Sequence, residues 1–133
     1  MDTTPLELKL LGGAIIIGFV QLMWAAGAAR AQQDMKWAAG PRDTPMPIKG
    51  VAARLERAFW NFMETFPFFA AAILACSAAD KLGTTLTVWG AWLYVGARAV
   101  YVPLYATGVR GVRTLAWFVA VIGLGMVVAA LFR

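Results

Sequence analysis

Arg57, Asn61 and Glu64 stand at positions i, i+4 and i+7 in a stretch otherwise composed for the interior of a lipid bilayer. At helical pitch the three fall in a sector of about 60° on one face. A guanidinium, a carboxamide and a carboxylate on one stripe supply charge of both signs with a neutral donor and acceptor between them. Charged groups at membrane depth are costly unless they pair or line a wet cavity, so such a stripe marks a functional site. Tyr94, Arg98, Tyr101 and Tyr105 form a second stripe at i, i+4, i+7 and i+11, where Pro103 removes a backbone donor and frees the Ala99 carbonyl. An arginine among phenols suits an anionic ligand, because its planar fork matches a carboxylate and the hydroxyls add neutral hydrogen bonds. The competing reading is an internal ion pair between Arg98 and Glu64 that merely knits the helices. Two polar stripes on separate helices, each with its own arginine, favour a site.

These stripes need membrane helices to carry them. With 61% hydrophobic and 14% charged residues over 133 positions and a mean hydropathy of +0.68, the chain has too little polar surface to coat a soluble globule. Four apolar segments, residues 6–29, 55–79, 85–106 and 112–132, approach the ~20 residues that span a bilayer. The expectation is an all-α integral membrane protein over residues 1–133, a single domain of four antiparallel up-down helices with a long first loop over residues 30–54. The first segment reads as a helix rather than an export signal, because Asp2 and Glu7 outweigh Lys9 before it. Short connections at Asp80–Gly83 and around Thr107–Gly111 make sequential helices antiparallel neighbours. Pro41, Pro45 and Pro47 make the first loop irregular.

Basic residues orient the helices. Arg30, Lys36, Arg42, Lys49 and Arg54 flank or occupy the first loop and Arg110 and Arg113 the third, whereas the second holds only Lys81. The first and third loops are therefore expected in the cytoplasm and both termini on the opposite side, in a bacterial inner membrane. The same bias, with anionic lipid, accounts for the net charge of +5, and no basic run interleaved with aromatics points to nucleic acid.

Ala70, Ala71, Ala72, Ala75, Ser77, Ala78 and Ala79 make the second segment a thin cylinder that other backbones can approach, and Ala14, Gly18 and Gly123 offer the same elsewhere. Trp24, Trp89, Trp92 and Trp117 lie toward segment ends and read as an interfacial belt. The chain has no histidine, which excludes a histidine base and histidine metal ligation, and no metal site is expected. Its single cysteine, Cys76, precludes an intrachain disulfide and reads as inert packing.

Arg57-x-x-x-Asn61-x-x-Glu64, within Glu56–Thr65 and followed by Phe66-Pro67-Phe68-Phe69, resembles the signature of the MAPEG family, the membrane-associated proteins in eicosanoid and glutathione metabolism. Arg98-x-x-Tyr101-x-x-x-Tyr105, then Arg113 opening the fourth helix, resembles its second motif, and Gly40-x-Arg42-Asp43 with Tyr101-Val102-Pro103 is similar to its bacterial members. Trp60 departs from the pattern, standing where some members carry a further basic residue. The resemblance implies a homotrimer with glutathione held in a polar cleft between subunits. Arg57, Arg98 and Arg54 would pair with its carboxylates, Glu64 with its ammonium, and Asn61, Tyr101 and Tyr105 would add hydrogen bonds. Arg113, with Arg110 as rival, would stabilise the thiolate. The implied activity is glutathione transferase or peroxidase chemistry on a lipophilic electrophile or lipid hydroperoxide. A non-catalytic scaffold holding lipid or an anionic metabolite, and a small four-helix transporter built on Glu64, stay open beside it. Neutralisation of Glu64 by Arg57 and Arg98 would argue against transport.

Overall fold

The computed structural model describes residues 2–109 and 111–133, so Arg110 lies outside the described residues. All regular structure in them is helical: α1 (Leu6–Gln32), α2 (Met35–Ala39), α3 (Val51–Ala78), α4 (Thr85–Ala106) and α5 (Val112–Leu131). Local chemistry sets several of the ends. Pro5 precedes α1, and its carbonyl accepts from the N–H groups of Leu8 and Lys9. α4 opens on a reciprocal cap in which the Thr84 hydroxyl accepts from the Thr87 N–H at 3.2 Å and the Thr87 hydroxyl accepts from the Thr84 N–H at 3.0 Å. Between α3 and α4 the chain turns through Asp80 (φ 57°) and Gly83 (φ 86°); glycine adopts that left-handed backbone without steric cost.

α1, α3 and α5 are each long and apolar enough to cross a membrane. α4, at 22 residues, has the length, but Arg98 and its tryptophans and tyrosines lower its hydropathy. α3 and α4 run unbroken through Pro67 and Pro103, as membrane helices can when neighbours satisfy the freed carbonyls. α3 and α4 pack against each other and both touch α1 and α5, which therefore flank this central pair.

Long-range bonds show that the helices alternate in direction. At one end the start of α1 meets the start of α4 through Glu7 and Thr87, and Lys81, just past α3, meets the end of α5. At the other end the start of α3 meets the end of α4 through Arg54 and the Ala106 carbonyl. The apolar core between them includes Leu10, Leu11, Ala14, Phe69, Ile73, Ala91, Ala120 and Val127.

Three boundaries differ from the sequence reading. α3 begins at Val51 rather than 55, because Val51–Arg54 contain nothing that stops a helix; Arg54 consequently sits in its first turn. α1 continues to Gln32. The first loop is not irregular throughout: Asp34 caps the five-residue α2 by accepting from the Lys36 N–H at 3.2 Å. Gln32 pins the far end of the loop, donating to the Lys49 carbonyl and accepting from its N–H, both at 2.8 Å. The closest backbone approach also falls elsewhere than the alanine stripe of α3, where Ala71, Ala78 and Ala79 are exposed. It lies between α4 and α5. A Cβ on Gly90 would stand 2.7 Å from the Gly123 carbonyl oxygen, and one on Gly123 would stand 2.6 Å from that of Gly90.

Candidate functional site

The polar stripes meet at the end of the molecule where α3 and α5 begin and α4 finishes. α3 presents Arg57, Asn61 and Glu64 along one face, as the spacing requires. They line a cavity of about 620 Å³ together with Glu56, Trp60 and Tyr105. Ala53 and Ile48 complete its wall. A second cavity of about 270 Å³ adjoins it, lined by Asn61, Tyr101, Tyr105, Arg113, Thr114 and Trp117. Asn61 and Tyr105 belong to both, so the two hollows form one site partitioned by a carboxamide and a phenol.

Tyr105 is the electrostatic hinge-pin of this arrangement. Arg57 Nε donates to its hydroxyl at 3.2 Å, and the Arg113 guanidinium lies over its ring, 4.5 Å from the centroid. A ring face is negative and attracts both cations, so two arginines from α3 and α5 are gathered around one residue of α4. Glu64 lies two turns from Arg57, about 10 Å along α3. Among the described residues no ion pair joins Glu64 to an arginine; the pair found there is Lys9–Asp2 at the opposite end. Neither Arg57 nor Arg98 therefore makes a direct ion pair with Glu64. The site keeps a positive pole at Arg57 and Arg113 and a negative one at Glu64 and Glu56.

Arg98 takes a different place from its neighbours on the stripe. It is 0% exposed and lines neither cavity. Its guanidinium lies between the rings of Tyr101, at 4.1 Å, and Phe62, at 5.5 Å, and Nη1 donates to Asn61 Oδ1 at 2.8 Å. That bond decides how Asn61 is turned. With its oxygen so held, the carboxamide keeps its two N–H donors unengaged within the chain, and Asn61 lines both cavities. Arg98 therefore acts through Asn61 rather than on the cavity surface. Arg54 is also engaged elsewhere, its Nε donating to the Ala106 carbonyl at 3.0 Å, where it joins the start of α3 to the end of α4. Tyr101 is 4% exposed, with its ring 5.6 Å from that of Tyr105.

Tyr94 leaves the stripe altogether. It stacks on Phe69 at 4.1 Å and its hydroxyl shares a 2.9 Å bond with Thr65, which makes it core. Trp117, assigned by sequence to the interfacial belt, borders the smaller cavity. Its position four residues after Arg113 puts both on one face, a spacing visible in the sequence, and Thr114 follows Arg113 directly. Ile48 carries no such signal, since it arrives from the loop. Cys76 is fully buried, with Sγ donating to the Val127 carbonyl at 3.5 Å, and among the described residues no cluster of metal-ligating side chains occurs.

Chemically the site offers fixed cations for carboxylates or a thiolate, an acidic pole for an ammonium, and neutral donors from Asn61. It suits a small zwitterion bearing more negative than positive charge. The model of the MAPEG family matches the chain over residues 10–133. No curated protein matches it. With three helices long and apolar enough to cross a bilayer, that match makes the chain an integral membrane protein.

Proposed function

The chain belongs to the MAPEG family, and from that premise we propose that it binds glutathione and acts as a membrane glutathione transferase or peroxidase on lipophilic electrophiles or lipid hydroperoxides. One observation supports this most: Arg57, Glu64 and Arg113 line adjoining cavities with no ion pair among themselves, around Asn61 and Tyr105. Glutathione has two carboxylates, an ammonium and a thiol. Its carboxylates complement Arg57, its ammonium complements Glu64, and its peptide carbonyls complement the unengaged N–H groups of Asn61. The cavities fall in the size range of small-molecule sites.

Arg113 is the group that activates sulfur in this reading. A guanidinium near the thiol favours the thiolate and releases the proton to water. In transfer, a sulfur lone pair forms the new S–C bond while the leaving group departs with its bonding electrons. In the peroxidase reaction two thiols and one hydroperoxide give a disulfide, an alcohol and water. The hydrophobic second substrate reaches the cavity beside Trp117 from lipid.

Both cavities are open at the protomer surface, and Trp60, which lines the larger, and Phe68, one turn beyond Glu64 on α3, are 59% and 66% exposed. A homotrimer of four membrane-crossing helices per subunit would cover these residues and give the cleft its missing wall. With the basic end of the molecule in the cytoplasm of a bacterial inner-membrane protein, the site faces the compartment that keeps thiols reduced. Titration of the purified protein with glutathione tests the reading. Saturable binding is expected, weakened about tenfold or more by Arg57→Ala. Absence of saturation, with Arg57→Ala indistinguishable from wild type, would remove its basis.

A further inference from the structure

Among the described residues, four buried side-chain polar atoms find no hydrogen-bond partner in the chain, and they fall on only two residues: Nε2 and Oε1 of Gln21, and Nε and Nη2 of Arg98. Gln21 is 1% exposed and Arg98 0%. Donors and acceptors left unpaired in a protein interior are costly, and hydrocarbon supplies nothing to satisfy them. Each of the two residues therefore calls for a partner.

Phe62 sets the two at a common level. Its ring lies 3.1 Å from where a Cβ on Gly18 of α1 would stand, and it carries the Arg98 guanidinium at 5.5 Å. Gln21 follows Gly18 by three residues on the buried side of α1, about 4.5 Å along the axis. Helical side chains lean back toward the N-terminus, which brings the Gln21 amide toward the layer of Gly18 and Phe62. Helical geometry thus sets the free edge of Arg98 and the amide of Gln21 at one level between α1, α3 and α4. Their chemistry is complementary, since a guanidinium only donates and Oε1 is the one acceptor among the four atoms. A buried water makes about three hydrogen bonds, enough to accept from Nε and Nη2 of Arg98 and to donate to Oε1, which pairs three of the four atoms.

We infer that Gln21 is a positioning residue: through one buried water its amide holds the free edge of Arg98, which in turn holds Asn61 by its oxygen and leaves its donors free. The relay runs from α1 through α4 to α3 and gives the site a contribution from a helix that lines neither hollow. Its effect on ligand binding rests on the glutathione reading, whereas the relay itself exists without ligand.

Side-chain ¹⁵N spectra of the full chain in micelles, without ligand, test it. Gln21→Leu, close in volume, is expected to shift the Arg98 Nε–H and Asn61 Nδ2–H₂ resonances, and Gln21→Glu, which keeps an acceptor, to restore a single ordered Arg98 signal. Unmoved Arg98 and Asn61 resonances in Gln21→Leu overturn the relay. Should that variant not fold, the wild type decides: cross-relaxation between Arg98 Nε–H and a long-lived water supports the relay, and its absence overturns it. In glutathione titrations Gln21→Leu is expected to weaken binding about fivefold and Gln21→Glu to recover most of it. A wild type that shows the water contact but binds no glutathione sinks the functional reading and leaves the relay standing.

Discussion

The two ends of the molecule handle polar groups in opposite ways. At the end where α1 and α4 begin, Glu7, Lys81, Asp2 and Lys9 find their partners within the chain. Glu7, 1% exposed, accepts at one carboxylate oxygen from the Gly83 N–H at 2.5 Å and the Thr87 hydroxyl at 2.6 Å. Lys81 Nζ donates to the carbonyls of Leu131 and Arg133, and Asp2 pairs with Lys9 at 2.6 Å. At the other end Arg57, Glu64 and Arg113 line hollows with no ion pair among them. Satisfied charge fastens helices together. Charge left facing a cavity waits for a ligand, so burial and partnering together separate a structural polar group from a functional one.

If that contrast holds, changes at the two ends should separate activity from stability. The largest effect is expected from Arg113→Ala, which should lower the glutathione conjugation rate by about 10²- to 10³-fold while leaving the thermal unfolding midpoint in micelles within error of wild type. Arg110→Ala measured in parallel discriminates the rival, since the contrast requires it to keep most of the rate. Glu7→Ala should do the converse. With the Gly83 N–H left unpaired and the charge-assisted bond to Thr87 gone, stability falls by about 2 to 4 kcal/mol, read as a lower unfolding midpoint, while glutathione affinity stays within about twofold of wild type. A loss of affinity as large as that of Arg57→Ala would merge the two ends into one coupled unit.

The smallest effect sharpens the contrast at the surface. The Lys9 ammonium, helped by the Thr4 N–H, holds the Asp2 carboxyl down to about 2 from an ordinary 3.8. Because the folded value lies below the unfolded one, the pairing contributes above pH ~4 and is lost as pH falls through about 2. Both side chains are more than half exposed, so the contribution to stability is slight. A carboxyl NMR titration should give a midpoint near 2 in wild type and a higher one in Lys9→Ala, still below the ordinary value because the Thr4 contact remains.

Much of the site was legible before the fold was. The spacing of Arg57, Asn61 and Glu64 placed them on one face, and that face does line a cavity. The long helices were also legible, to within a few residues at their ends, because lipid-facing apolar runs announce themselves by length. What escaped was everything decided by partners far along the chain. Glu7 read only as a charge unfit for an export signal, yet its partner Thr87 lies 80 residues away. Gln21 gave no sign at all, since one amide in an apolar helix looks the same whether it faces lipid or the protein interior, where it is buried. The depth of Arg98 was hidden likewise: helical period fixes its direction around α4 but not whether Asn61 stands between it and the cavity.

The glycine crossing of α4 and α5 bears on the shape of the site. Carbonyls that would meet an added methyl at 2.6 and 2.7 Å leave no space for any side chain there, so an alanine at either position would force apart the rod carrying Tyr101 and Tyr105 and the rod carrying Arg113 and Trp117, and with them the walls of the smaller cavity.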